Sequence, residues 1–106
     1  METSETRMID LIVVALANDY EPLGVLQDDV RQAAQEANLA FSEIAFSRAV
    51  RRSVEEDLIE PIRYNQTSGR FERQGFTASE VTEELKHELL FRLTDRGEQR
   101  LTQLGC

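Results

Sequence analysis

The stretch FSEIAFSRAVRRSVEEDLIE, residues 41–60, has the pattern of a capped amphipathic helix. Ser42 is a suitable N-cap, because a serine hydroxyl can accept a backbone N–H that the first helical turn leaves unpaired. Phe41 and Phe46 have the spacing of a hydrophobic staple across this cap. Apolar residues then recur at every fourth position: Phe46, Val50, Val54 and Leu58. This period predicts a helix that packs one face on a core.

Another face of the same helix carries three arginines and one glutamate. Their spacing of i, i+3, i+4 and i+7 places them together on a helix: Arg48, Arg51, Arg52 and Glu55. One interpretation is a solvated outer face on which Arg51 pairs with Glu55. The other is a nucleic-acid recognition helix. The neighbouring segments bear on the choice between the two.

A second helix is predicted just before this one, at residues 25–38, with Leu26 and Val30 facing inward. Asn38 can end that helix, because asparagine tolerates the left-handed backbone conformation. Only the short stretch 38–41 then separates the two helices. Two helices joined by so short a turn, the second of them basic, have helix-turn-helix organisation. Any compact pair of helices would satisfy the same spacing.

The apolar segment 8–17, MIDLIVVALA, is predicted to be a helix, since its length without Gly or Pro exceeds that of most strands. A helix that is apolar all round must be covered on more than one side. Either a second copy of the chain covers it, which would make it a dimerisation surface, or it lies at the centre of one chain's core. The preceding residues 1–7 are predicted to be a disordered acidic tail.

Beyond the basic helix the chain alternates between strand and helix patterns. Pro61 cannot continue a helix, and two later segments carry capping-box patterns, Thr77 with Glu80 and Asp95 with Glu98. Leu89, Phe91 and Leu93 share one face at the two-residue period of a strand. The predicted elements are a strand at 62–64, a polar turn at 65–75, a short helix at 77–86, a strand at 87–94 and a last helix from 95.

Composition limits the class of protein. With 106 residues, 41% apolar and 30% charged, the chain is predicted to be one globular domain. No apolar run is long enough to span a bilayer and the acidic start is not a signal peptide, so we expect a cytoplasmic protein with no membrane contact. The single cysteine, Cys106, excludes an internal disulfide.

The net charge of −8 argues against loose, non-specific binding to nucleic acid, which needs a basic field. The charge is unevenly distributed, however. Residues 1–43 hold nine acids and two arginines, whereas residues 44–73 hold six arginines and five acids. Half of the twelve basic residues therefore lie in the middle third, around the predicted basic helix.

Motifs of catalysis and metal binding are missing from the sequence. It contains no glycine-rich phosphate loop, no nucleophile motif and no cysteine–histidine metal spacing. His87 follows Glu84 at i+3, which on a helix is half of a di-metal motif, but the other half needs carboxylates from further helices. We therefore predict that the protein is not an enzyme and has no catalytic residue, metal site or cofactor.

Two strings carry a family resemblance, VRRSVEEDLIEPIRY and LLFRLTDRGEQRL. They resemble the winged helix-turn-helix transcription regulators, especially the PadR-like and MarR-like groups. In those families the recognition helix ends in L-x-x-x-G-L-I and the second wing strand closes with Y-x-L-T-x-x-G. The corresponding segments here are 54–59, VEEDLI, and 91–97, FRLTDRG. The resemblance covers roughly residues 25–104, with Asp57 at the position where these families usually have glycine.

The resemblance implies an α+β, mostly α fold over residues 8–106, with a three-helix core, a two- to three-stranded wing and a C-terminal helix. It also implies a homodimeric, sequence-specific regulator that binds double-stranded DNA. Its recognition helix, at about residues 42–56, would turn four residues toward the major groove or its flanking phosphates: Ser47, Arg48, Arg51 and Arg52. The wing residues Arg63, Arg70 and Arg73 would contact phosphates or the minor groove.

An alternative is a winged-helix adaptor that binds another protein and not DNA. The acidic segment 1–43 favours it, as do the glutamates at 80–88, because both would lie near an approaching duplex. The two functions predict different surfaces. A continuous positive ridge from Arg48 through Arg52 to Arg70 favours DNA, whereas arginines neutralised by neighbouring glutamates favour a protein partner.

Overall fold

The structure, a computed structural model, describes residues 4–17, 20–74 and 89–105. These residues form four helices and a four-stranded antiparallel sheet, so the predicted α+β, mostly helical class is confirmed. The helices are α1 (Ser4–Ala15), α2 (Leu23–Glu36), α3 (Glu43–Glu55) and α4 (Asp95–Gln103). The strands are β1 (Glu21–Pro22), β2 (Ile59–Asn65), β3 (Arg70–Arg73) and β4 (Leu90–Leu93).

Helices α2 and α3 lie where the periodicity predicts them, and both end in the same kind of turn. Asn38 has φ 57° and Asp57 has φ 60°, the left-handed conformation that closes a helix. After each, a backbone N–H bonds back across the last turn: Leu39 to the Ala34 carbonyl at 2.8 Å and Leu58 to the Ser53 carbonyl at 2.9 Å. Asp57 therefore adopts the backbone that glycine would adopt there.

The N-terminal helix α1 begins at Ser4, so the prediction of a disordered tail over residues 1–7 is corrected for residues 4–7. Two side chains of this first turn reach other helices. Arg7 donates to the Ala37 carbonyl at the end of α2, 3.5 Å away, and Glu5 forms an ion pair with Arg52 of α3. Residues 1–3 lie outside the described part of the chain.

Helix α1 is the central helix of the core, in contact with α2, α3 and α4. Ile12 and Val13 have no exposed surface, and Met8 and Leu16 are almost fully buried. The apolar segment 8–17 is thus covered by the chain's own helices, which was the alternative to a dimerisation surface. This covering removes the reason for placing a dimer contact at residues 8–17.

The sheet has the strand order β1-β4-β2-β3. Pro61 is opposite Phe91 between β2 and β4, and both are fully buried against the helices. Strands β2 and β3 form a hairpin whose polar turn is closed by a bond from the Gly69 N–H to the Asn65 carbonyl at 2.8 Å. The strands predicted at 62–64 and 87–94 correspond to β2 and β4. Strands β1 and β3 were not predicted, and the helix predicted at 77–86 lies outside the described residues.

The last helix, α4, is docked on the turn that follows α3. Its N-cap is Thr94, whose hydroxyl accepts the Gly97 N–H at 3.1 Å, so the predicted cap at Asp95 is corrected by one residue. The Thr94 N–H also donates to the Leu58 carbonyl at 3.0 Å. Gly97 is buried against that carbonyl. Within the described residues, no helix is both long and apolar enough to cross a bilayer.

Candidate nucleic-acid interface

The basic helix α3 is held firmly at its N-terminal end. The Ser42 hydroxyl accepts the Ala45 N–H at 3.1 Å, as the predicted cap requires. The rings of Phe41 and Phe46 lie 5.8 Å apart, which confirms the predicted staple. The guanidinium of Arg31, on α2, lies 5.4 Å from the Phe41 ring centre, a distance typical of a cation–π contact. These contacts fix the direction in which α3 leaves the short turn after α2.

Three arginines of α3 share one side of the helix, as the spacing predicts. They line a depression of about 300 Å³ together with Glu55 and with Glu5 of α1. Arg52 forms ion pairs with Glu5 at 3.7 Å and with Glu56 at 3.5 Å. Arg48 and Arg51 have no ion-pair partner among the described residues, and the Arg51–Glu55 pair of the solvated-face interpretation is not formed.

Ser47 does not lie on this arginine surface. Its side chain is 2% exposed, and its hydroxyl has no hydrogen-bond partner among the described residues. Ser47 lies seven residues before Val54, so two helical turns place the two residues on the same inward face. The prediction that Ser47 faces a DNA groove is therefore corrected.

The predicted wing arginines lie on the β2–β3 hairpin and differ in their surroundings. Arg73 is neutralised by Asp57 at 3.5 Å and by Glu60 at 3.6 Å. Glu60 also forms an ion pair with Arg92 of β4. Arg63 and Arg70 are both exposed, and Arg70 has no ion-pair partner in the part of the chain that the structure describes. The basic surface is therefore interrupted by carboxylates between α3 and Arg70. Arg52 and Arg73 are neutralised, as the protein-binding alternative predicts, whereas Arg48 and Arg51 have no carboxylate partner among the described residues.

A second and larger groove, with a volume of about 780 Å³, shares Glu5 and Arg52 with the depression lined by the α3 arginines. It is also lined by Ile9 and Leu58, and α4 contributes Arg96 and Arg100 to it. Arg100 is held by Asp10 through bonds of 2.8 to 3.0 Å. Arg96 is exposed and has no ion-pair partner among the described residues. The ion-paired Glu5 and Arg52 thus line both depressions, together with other charged side chains.

Glu5 is the residue of this surface that the sequence did not indicate. It was assigned to a disordered tail, whereas it lies in the first turn of α1 and contacts Arg52. An acidic side chain in a first helical turn interacts favourably with the helix dipole, which is a local signal for an earlier helix start. The residue could have been placed in a helix by that signal, although its contact with α3 could not have been predicted.

Metal binding has no candidate in the described residues: no group of three or more His, Cys, Asp and Glu side chains there could hold an ion. The half motif at Glu84 and His87 lies outside these residues. Comparisons of the chain with protein-family models, with curated proteins and with solved structures found no match. A functional proposal therefore depends on the geometry of the chain itself.

Proposed function

We propose that this protein is a winged-helix regulator that binds double-stranded DNA in a sequence-specific way, with α3 in the major groove. The observation that carries the proposal is the pair Arg48 and Arg51, which lie on one side of a firmly capped helix without a carboxylate partner among the described residues. A guanidinium in this position can bond guanine O6 and N7 with two parallel hydrogen bonds.

The order of the elements supports the winged-helix part of the proposal. Helix α3 passes through the left-handed Asp57 into β2, and β4 passes through the Thr94 cap into α4. This is the order that the family resemblance implies around a wing. In the wing itself, Arg73 is held by Asp57 and Glu60, so we assign the DNA contacts to the arginines of α3 and not to Arg73.

The experiment is a selection of bound duplexes from a random library, followed by affinity measurements on the selected sequence. We expect Arg48→Ala/Arg51→Ala to weaken binding by about 1–3 kcal/mol for each lost base contact. The slope of log affinity against log salt should fall by about one for each phosphate contact that is lost. The matched control is Arg92→Ala/Arg96→Ala, which removes the same charge from β4 and α4 and leaves Glu60 paired with Arg73.

Two results would contradict the proposal. One is a selection that recovers no preferred duplex with the wild-type protein. The other is equal weakening by both double variants, because that result would show an effect of net charge and not of the arginine surface of α3.

A second candidate function is protein binding through the start of α3. Ile44 lies in the first turn of this helix and is 68% exposed, the most exposed of the large apolar side chains described. Large apolar residues are common at the centre of protein interfaces, where they are removed from water. Ile44→Ser should leave DNA affinity unchanged if α3 binds DNA through its arginines. It should abolish partner binding if α3 is a protein-binding helix.

A further inference from the structure

Strand β3 forms one edge of the sheet, and all of its residues are exposed. The backbone pairing with β2 determines which groups face outward. The Gln74 N–H donates to the Pro61 carbonyl at 2.8 Å, so the alternate residues 72 and 70 also direct their N–H and C=O groups toward β2. Phe71 and Arg73 therefore direct their backbone N–H and C=O groups away from the sheet. An exposed edge of this kind is a template for another strand.

We propose that a second copy of this chain pairs along β3, antiparallel and centred on Phe71, so that the protein forms a two-fold symmetric dimer. The charges of the strand select this centre. With Phe71 opposite Phe71 of the second copy, Arg70 of each copy is opposite Glu72 of the other. A pair centred on Glu72 would place two glutamates opposite each other, and one centred on Arg73 would place two arginines together. Opposite charges across strands are favourable and like charges are not.

The hydrogen-bonding pattern fits the same centre. A residue whose N–H and C=O both face outward can exchange two hydrogen bonds with its own copy across a two-fold axis. Phe71 is such a residue, whereas Glu72 is not. The carboxylate of Glu72 is already oriented by its own chain, because Asn65 at 3.1 Å and Ser68 at 3.4 Å both donate to its Oε1 atom. The Oε2 atom remains for Arg70 of the second copy.

An exposed aromatic cluster supplies the apolar part of this surface. The Phe71 ring lies 5.3 Å from the ring of Tyr64 and 5.3 Å from that of Tyr20. The three side chains are between 40% and 49% exposed. In the dimer, Phe71 of the second copy would extend this cluster across the interface. The four-stranded sheets of the two copies would then form one continuous sheet across the interface.

The test is a charge exchange followed by measurement of molecular mass in solution under reducing conditions. We expect the wild type to be a dimer. Arg70→Glu alone would place four glutamates at the interface and Glu72→Arg alone would place four arginines there, so each variant should be a monomer. An equimolar mixture of the two should regain the dimer mass, because every glutamate then faces an arginine. The controls Arg96→Glu and Glu36→Arg make the same charge changes on α4 and α2 and should remain dimeric.

A cysteine cross-link tests the centre of the pairing. Opposite residues that exchange hydrogen bonds have Cα atoms about 5.5 Å apart, a separation that a disulfide can bridge. In a Cys106→Ser background, Phe71→Cys should form a covalent dimer on oxidation and Arg73→Cys should not. A monomeric wild type, a mixture that stays monomeric although both variants fold, or cross-linking at Arg73→Cys would each overturn the proposal. None of these measurements uses DNA, so the outcome is independent of the function proposed above.

Discussion

Two serines of α3, Ser42 and Ser47, have opposite roles in the stability of the helix. Ser42 accepts a backbone N–H at the cap, whereas the buried Ser47 hydroxyl lacks a partner among the described residues. We expect Ser42→Ala to lower the free energy of unfolding by about 1 kcal/mol through loss of the cap. Ser47→Ala should leave it unchanged or raise it, because a buried unpaired hydroxyl is destabilising.

Urea unfolding of the two variants measures this contrast, and each serves as the control for the other. The DNA affinity of Ser47→Ala should equal that of the wild type, since the side chain does not reach the surface. A loss of stability in Ser47→Ala as large as that in Ser42→Ala would mean that the buried hydroxyl has a bonded partner.

Gly97 is required by the close approach of α4 to the turn after α3. A Cβ atom at this position would lie 2.0 Å from the carbonyl oxygen of Leu58, which is backbone and cannot move aside easily. We expect Gly97→Ala to destabilise the protein by about 1–3 kcal/mol or more, the range for overpacking of a well-packed site. Thermal unfolding followed by circular dichroism would measure it.

The control for Gly97→Ala is Gly69→Ala, in the turn of the β2–β3 hairpin. No atom lies within 4 Å of its added methyl group, so the change introduces only the backbone strain of φ +68°. That strain costs about 1–2 kcal/mol. A Gly97→Ala variant as stable as the wild type would show that α4 does not dock as closely as described.

Helices with both a period and a cap were the elements that the sequence predicted best. The apolar stripe and the Ser42 cap are local signals, and α3 agrees with them. Strand β1 could not be predicted, because it has only two residues and exists through its pairing with β4, far along the chain. The packing around α1 could not be predicted either, because the sequence of an all-apolar helix does not indicate which surfaces cover it.

The candidate site was predictable in its spacing but not in its electrostatics. The i, i+3, i+4 spacing placed Arg48, Arg51 and Arg52 together, as the structure does. The neutralisation of Arg73 by Asp57 and Glu60, and the contact of Glu5 with Arg52, depend on residues that other elements bring near. Such pairings arise from tertiary packing and leave no periodic signal.

The bond between α1 and α4 ties the two ends of the described chain together. Arg100 donates to both carboxylate oxygens of Asp10, and both side chains are partly buried. A helix as short as α4 is not stable on its own in water, so it depends on such docking contacts. We expect Arg100→Met to destabilise the protein by about 1.5–3 kcal/mol, because it leaves a partly buried carboxylate without its charged partner.

A double-mutant cycle with Asp10→Asn measures this interaction. If Asp10 and Arg100 act as a unit, the double variant should lose less stability than the sum of the losses in the two single variants. Arg96→Met is the control, because Arg96 lies on the same helix, is exposed and has no ion-pair partner among the described residues. Equal losses in Arg100→Met and Arg96→Met would contradict a docking role for the Asp10–Arg100 pair.

The net charge of the whole chain determines how salt changes its stability, and we expect salt to change stability and DNA affinity in opposite directions. The chain has twenty acidic residues and twelve basic ones, so the excess negative charges repel one another in the folded state. Salt screens that repulsion. The screening length falls from about 10 Å at 0.1 M salt to about 3 Å at 1 M. The exposed ion pairs also weaken with salt, but each contributes little. The free energy of unfolding, measured with uncharged urea, should therefore rise with sodium chloride concentration.

DNA affinity should fall over the same range of salt, because binding releases counterions from the phosphates. A protein that only lost its fold at high salt would lose stability and DNA affinity together. The opposite signs separate loss of fold from loss of contacts. Stability that falls with added salt would show that ion pairs such as Asp10–Arg100 outweigh the repulsion among the excess acids.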